Sequence, residues 1–307
     1  MSKQLRISLV LGVVIAISMF ISACGGSTTT TGSTPTAAPG QRGQLSCTSG
    51  SITASGSTAL APLVQAVAKD YQSKCSGSNI TVNLGGSKTG LSDAESGVSQ
   101  IGNSDIFANP STQADLKDHQ VAVVIFTLII NAKVTGVTNL TTEQVKGIYS
   151  GSITNWKQLG GPNLKIVVVS RPASSGTRAT FQKYVLGGPE TISGPSSLTS
   201  DSTGTVVQNI TQTDGAIGYV ALGPAKKSGL TILSLDGNAP TADLVKNNTY
   251  KFWNIEHMYT KGDATGLAQA LINYMSSDYG KSQATSFSFV AITDMTQAAL
   301  QAHQPTS

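Results

Sequence analysis

Short runs of period two alternate with apolar residues at helical spacing from Ser51 to Tyr274. Ser51-Ile52-Thr53-Ala54 predicts a strand and Ser55-Gly56-Ser57-Thr58 a turn. Leu60, Leu63, Val64, Val67 and Tyr71 then form the buried stripe of a helix. Ile80 to Leu84 alternates like a strand and ends in Gly85-Gly86-Ser87-Lys88-Thr89-Gly90. Asp93 to Val98 predicts a short helix. Val121 to Asn131 is a long continuous apolar run, which suits a strand buried on both faces. Thr141-Thr142-Glu143-Gln144 has capping-box chemistry, and Val145, Ile148 and Tyr149 are the apolar side of the helix it opens. Lys165 to Val169 predicts a strand and Ala179 to Leu186 a helix. Gly215 to Val220 predicts a buried strand, and Leu267, Leu271 and Tyr274 a late helix. Gly187 to Gly204 is of low complexity and reads as surface. No internal repeat is visible. Strands alternating with amphipathic helices argue for α/β architecture.

The first residues follow a different pattern. Lys3 and Arg6 precede an apolar run, Leu9 to Ile21, that is shorter than the roughly 20 residues a bilayer requires. Ile21-Ser22-Ala23-Cys24 reads as a lipobox, so residues 1–23 are expected to be a lipoprotein signal peptide and Cys24 the lipidated residue. The alternative is a plain secretory signal with an incidental cysteine; export follows under either reading. Residues 24–46 are mostly Gly, Ser, Thr and Pro, too poor in apolar groups to fold, and read as a disordered tether. No later segment is apolar enough for a transmembrane helix.

Composition narrows the classes. The full chain of 307 residues carries 20 basic and 16 acidic residues, a formal net charge of +4. Lys3 and Arg6 leave with the leader, so 18 basic residues face 16 acidic ones in a body of 284 residues. That body is nearly neutral and has no basic run, which argues against a nucleic-acid partner. Its length suits two domains or lobes. With Cys24 assigned to lipid, Cys47 and Cys75 are an even pair in an oxidising compartment, where a disulfide is expected. Closing that loop stabilises by about 3–4 kcal/mol in the chain-entropy picture. Two free buried thiols are the alternative. His119, His257 and His303 fall outside the polar turns and read as surface or packing residues, with His303 in a loose tail.

Candidate chemistry concentrates where strands run into helices. Ser170-Arg171-Pro172-Ala173-Ser174-Ser175-Gly176-Thr177-Arg178 joins a predicted strand to a predicted helix with the permanently charged planar fork of Arg171, hydroxyls and a glycine. Helix starts have unpaired N–H groups and the positive end of the dipole, which favour anions. Ordinary N-capping explains such a turn equally well when it stands alone. Gly56-Ser57-Thr58 and Gly86-Ser87-Lys88-Thr89-Gly90 repeat the pattern, and Asn103-Ser104-Asp105 adds a carboxylate. In open α/β sheets, ligands bind off the carboxyl ends of strands at such turns. Together they could enclose a small tetrahedral anion.

Five segments then occur in order: Gly56 to Pro62, Gly102 to Asp105, Gly147 to Trp156, Ser170 to Arg178, and Gly215 to Val220. The chain resembles, over roughly residues 50–295, the phosphate-binding lipoproteins of bacterial phosphate ABC importers, the PstS family. The resemblance implies a two-lobed periplasmic-binding-protein fold of type II, each lobe a mixed β-sheet flanked by helices, with two hinge crossings. It implies lobe one from 47–128 plus a return over 252–307, and lobe two from 129–251. It also implies phosphate ligands: Ser57, Thr58, the Ala59 backbone N–H, Ser87 and Asp105 from lobe one, and Arg171, Ser175, Gly176 and Thr177 from lobe two. Phosphate near neutral pH keeps a proton that Asp105 can accept. Sulfate has none and would oppose a lone pair to a negative charge. Partners implied are inorganic phosphate, the permease subunits of the importer, and the outer face of the cytoplasmic membrane through the lipid anchor. A monomer is expected, with no nucleic acid, no cofactor and no metal.

Two positions depart from the family pattern. Ala173 stands where an acidic residue usually orients the arginine. Lys88 stands where small residues are usual; pointing inward it would weaken discrimination between anions, and pointing outward it is a solvated lysine. Catalysis is not expected. Lys88-Thr89-Gly90 has no Ser-x-x-Lys or Ser-Asp-Asn beside it, Leu91 stands where a P-loop needs lysine, and no Gly-x-Ser-x-Gly elbow is present. Binding of another tetrahedral oxyanion, and a surface phosphate sensor or adhesin uncoupled from transport, remain as alternatives.

Overall fold

The computed structural model describes residues 45–192, 197–200 and 202–305. The leader, Cys24 and nearly all of the tether lie outside the described residues. Eleven strands are assigned among those described: β1 Gly50–Gly56, β2 Ser78–Leu84, β3 Ile101–Ser104, β4 Leu116–Ile130, β5 Asn139–Leu140, β6 Val167–Ser170, β7 Ser197–Thr199, β8 Ala216–Ala221, β9 Thr231–Ile232, β10 Ser234–Leu235 and β11 Trp253–Lys261. The α-helices are α1 Ala61–Lys74, α2 Ser87–Ser96, α3 Thr142–Ser150, α4 Gly176–Phe181, α5 Thr203–Gln212, α6 Leu222–Ser228, α7 Ala242–Lys246, α8 Gly266–Met275, α9 Asp278–Ser286 and α10 Gln297–Ala302.

Nine of the strands form one mixed sheet, in the order β2-β1-β3-β11-β4-β8-β6-β7 with β9 also on β4, and β5 and β10 pair separately. Strand β4 carries the sheet from one half to the other. Its residues Leu116 to Ile125 pair with β11, and Phe126 to Ile130 pair with β8. The second passage between halves lies beside the first. Phe126 N–H donates to the Phe252 carbonyl at 3.0 Å, and the two rings lie 5.3 Å apart. The unbroken apolar run of β4 is explained by this position: Ala122 to Ile130 are buried throughout. The α/β expectation stands, and the halves are joined closely enough to form one unit.

Local chemistry accounts for most element ends. Thr141 and Gln144 form the expected capping box. Cys47 and Cys75 form the expected disulfide, with Cα atoms 5.1 Å apart. Four expectations need correction. Helix α2 begins at Ser87, not near Asp93, because Gly86 at φ 86° turns the chain directly from the loop into the helix. Helix α4 begins at Gly176, where the Ser175 hydroxyl accepts from Arg178 N–H at 3.2 Å, and a π turn over Gln182–Leu186 completes the segment. Gly187 to Gly204 is not simply surface: its described part contains β7 and the start of α5, with Ser200 and Thr203 buried. His303 is not in a loose tail. It is 2% exposed and stacks between Trp253 and Tyr184, at centroid distances of 3.5 and 3.9 Å.

Candidate anion-binding site

The polar turns meet between the two halves of the sheet. Ser57 and Thr58 follow β1, Ser87 opens α2, and Asp105 follows β3, all in one half. Arg171, Ser175, Gly176 and Thr177 join β6 to α4 in the other. All of these side chains are buried, from 0% exposed at Ser87 to 7% at Thr58. Burying so many polar groups is tolerable only if each finds a partner.

Asp105 is the centre of one cluster. Ser57 donates its hydroxyl to Asp105 Oδ1, and Thr177 Oγ1 donates to Oδ2 at 3.0 Å from the opposite half. The Asp105 N–H donates to Ser87 Oγ at 2.9 Å. Ser57 Oγ in turn accepts from the N–H groups of Ala59 and Leu60, at 3.1 and 3.0 Å. The Ala59 N–H, expected to face a ligand, is therefore directed at Ser57 here. Gly176 closes the cluster. A methyl group on its Cα would lie 2.2 Å from Ser87 Oγ and 3.0 Å from Asp105 Cβ, so only glycine lets α4 approach this closely.

Arg171 is the centre of a second cluster, 1% exposed. Its Nε donates to the Ser200 carbonyl and its Nη2 to Thr58 Oγ1, both at 3.0 Å. Thr58 Oγ1 also lies 3.1 Å from Thr203 Oγ1 and accepts from Thr203 N–H at 3.3 Å. Thr203 is the first residue of α5, so a third helix start reaches the site. The sequence reading missed Ser200 and Thr203. The signal was Ser202 followed by Val206 and Ile210 at helical spacing, hidden in a low-complexity stretch.

The two departures from the family pattern resolve structurally. Ala173 is exposed and the Arg171 guanidinium is held by Ser200 instead. A carboxylate does serve this loop, but from Glu190. It accepts from Ser170 Oγ and Tyr219 OH, and faces Arg178 Nε at 3.6 Å. Arg178 Nη1 donates to the Arg171 carbonyl at 2.7 Å. Burial, and then the Glu190 charge, push the Tyr219 phenol well up, which keeps it a donor. Glu190 thus braces the backbone of Arg171 through Arg178. Lys88 is exposed, and its N–H donates to the Ser174 carbonyl at 3.0 Å, a main-chain bond across the two halves.

Chemically, the site offers hydroxyl and guanidinium donors, helix starts and a carboxylate acceptor in a water-poor space. Among the described residues no cluster of His, Cys, Asp and Glu could hold a metal ion. Nor is any described helix long and apolar enough to cross a membrane.

Known proteins share this fold. A PBP superfamily domain matches residues 32–279. The phosphate-binding protein PstS of Bacillus subtilis (strain 168) is 43% identical over 284 residues, 91% of this chain and 92% of that protein. The crystal structure of a phosphate ABC transporter substrate-binding protein with bound phosphate, from Clostridium perfringens, gives a TM-score of 0.74 at 32% identity, over 79% of this chain and 100% of that one. An ABC-type phosphate transport receptor from Vibrio cholerae gives 0.63 at 29% identity, over 78% and 99% of the two chains. With the family match over most of its length and this degree of identity, the chain belongs to the PBP superfamily and, within it, to the PstS family of phosphate-binding proteins.

Proposed function

We propose that the chain is an extracytoplasmic receptor that captures inorganic phosphate between two lobes and delivers it to an ABC importer. The observation that carries this reading is Asp105: a buried carboxylate that accepts hydroxyls from both halves of the sheet, near a buried arginine. Asp105 accepts the proton that phosphate retains, while Arg171, Thr58, Ser87 and Ser175 supply donors to the remaining oxygens. The N–H groups of Gly176 and Thr177 complete the set, Thr203 adds a hydroxyl at the start of α5, and Ser57 acts through its bond to Asp105. Several charge-assisted bonds of about 1.5–3 kcal/mol each suffice for micromolar affinity or better.

The lobes are residues 47–128 with 252–307, and 129–251. The chain crosses between them near Phe126 and Phe252. Contacts that span them, Arg171 to Thr58 and Thr177 to Asp105, form on closure, so phosphate shifts an open–closed population toward the closed form. The permease reads that closed form. The leader and Cys24 place the body outside the cytoplasmic membrane on a lipid anchor, with residues 24–46 as the tether. The receptor is a monomer and performs no catalysis.

The test is phosphate uptake under phosphate limitation in cells lacking this chain, complemented with wild type or with Arg171→Ala. Restoration by wild type alone supports the reading. Uptake that is indifferent to the chain sinks the transport role. Mass spectrometry of the mature N-terminus reads the anchor directly, as a diacylglyceryl group on Cys24.

A further inference from the structure

A second carboxyl group lies behind the site and has no part in the scheme above. Glu256, on β11, is 0% exposed, and neither of its oxygens receives a hydrogen bond. The pairing of β11 with β3 sets the direction of its side chain. Met258 lies opposite Asn103 and His257 opposite Ser104. Side chains alternate along a strand, so Asn254, Glu256 and Met258 share one face with Asn103, and Asp105 follows on that side. Asn254 reports the direction: its Nδ2 donates to the Asp105 carbonyl at 2.7 Å. Glu256, two residues further, turns to the same side as Asp105, whose charge acts on it. The Asn103 amide on this face is also buried without a partner.

Two carboxyl groups pressed together in a dry space do not both ionise. The donors around them decide which holds the proton. Asp105 accepts from Ser57 and Thr177. The Ser57 oxygen is already occupied by two N–H groups, so its own hydrogen is committed to Asp105. In both bonds Asp105 is the acceptor. Glu256 has no such support, and burial, then the Asp105 charge, push its carboxyl well above the usual carboxylate range.

Other charged groups do not alter this. Helix α2, with Asp93 and Glu95, packs on the opposite face, where a Cβ at Gly102 would meet Ala94. His257 also points to that face, where Nδ1 lies 2.8 Å from Asp118 Oδ1. His119 shares the Glu256 face but sits opposite Met258 and is bonded to Thr260. Arg171, held by Thr58 and the Ser200 carbonyl, is the cation of the site.

We propose that Glu256 is a positioning residue for anion recognition: a neutral acid that donates a hydrogen bond to Asp105 from behind and holds it as an ionised, acceptor-only carboxylate facing the ligand. This rests on the phosphate reading above. While Glu256 is neutral, Asp105 and Arg171 balance each other. Once it ionises, a second negative charge stands beside the bound anion, so phosphate affinity falls at alkaline pH.

Infrared difference spectra of the anion-free full chain, wild type against Glu256→Gln, test the proton directly at about pH 7. The carbonyl band of a protonated carboxylic acid is expected in wild type and not in the variant; a wild type without that band overturns the proposal. Phosphate titrations across pH test the consequence. Glu256→Gln, a neutral donor, should bind within about threefold of wild type at neutral pH and lose less affinity than wild type at alkaline pH. Glu256→Leu, with no donor, should bind at least about tenfold more weakly. Equal affinities for the Gln and Leu variants, or superimposable pH profiles for wild type and Gln, overturn it. A wild type that shows the acid band but binds no phosphate defeats the functional reading instead.

Discussion

Arg171 Nη2 donates to Thr58 Oγ1 at 3.0 Å across 113 residues of sequence. The same guanidinium is held from the other side by the Ser200 carbonyl. Ser200 lies in the same half as Arg171, so it holds the planar fork without the acid that position 173 would supply. Arg171→Lys keeps the charge but loses the fork, and phosphate affinity should fall at least about 100-fold. Ala173→Asp, on the exposed rim, should change it by less than about threefold. Calorimetric titration of both variants checks this. A large gain in Ala173→Asp would show that Ser200 is an inadequate anchor.

Glu190 should matter more than its setting among Gly, Pro and Ser suggests. Glu190→Gln removes the charge that faces Arg178 and weakens the brace on the Arg171 backbone. Stability should drop by about 1–3 kcal/mol, and phosphate affinity by about tenfold. Thermal melts and titrations on one preparation read both. If neither moves, the Tyr219–Glu190–Arg178 chain has no bracing role.

Gly176 limits how closely the halves approach. In Gly176→Ala the new methyl would press on Ser87 and Asp105, both buried. The clash arises only at this approach of the two halves, so the melting temperature of the anion-free protein should change little. Phosphate affinity should fall by about 100-fold, roughly 3 kcal/mol. Unchanged affinity would mean that bound phosphate does not need this approach.

His303 gives a pH dependence with a defined sign. Burial, and then Lys183, hold its folded-state pKa down to about 3, against about 6.5 in the unfolded chain. Between these values the unfolded state binds the extra proton. Stability is therefore full above about pH 6.5 and declines as pH falls toward 3, by up to about 1.4 kcal/mol per pH unit from this group. His303→Phe preserves stacking on Trp253 and Tyr184 and removes that contribution. Denaturant melts from neutral to acidic pH should show a shallower acid slope in the variant, and equal slopes would refute it.

How far the sequence reached follows the range of the interactions. Ser57, Thr58, Ser87 and the Arg171 loop were legible because each lies where a strand feeds a helix, a pattern contained in about ten residues. Asp105 was legible by the ordered resemblance. Ser200, Thr203 and Glu190 lie in a stretch whose composition reads as loop, and only the fold of β7 and α5 brings them inward. Glu256 was invisible for another reason. It reaches Asp105 because β11 returns, more than a hundred residues later, to lie between β3 and β4. His303 likewise gains its burial from Trp253 and Tyr184, which nothing in the tail itself announces.

The most direct measurement is calorimetric titration of the folded, anion-stripped protein with phosphate and with sulfate, for wild type and Asp105→Asn. Wild type should bind phosphate at micromolar affinity or tighter and give no saturable heat with sulfate. Asp105→Asn should lose that discrimination, because the amide no longer repels an unprotonated oxygen. Equal affinity of wild type for the two anions, or no phosphate binding at all, would contradict the assignment of Asp105 as the acceptor that recognises phosphate.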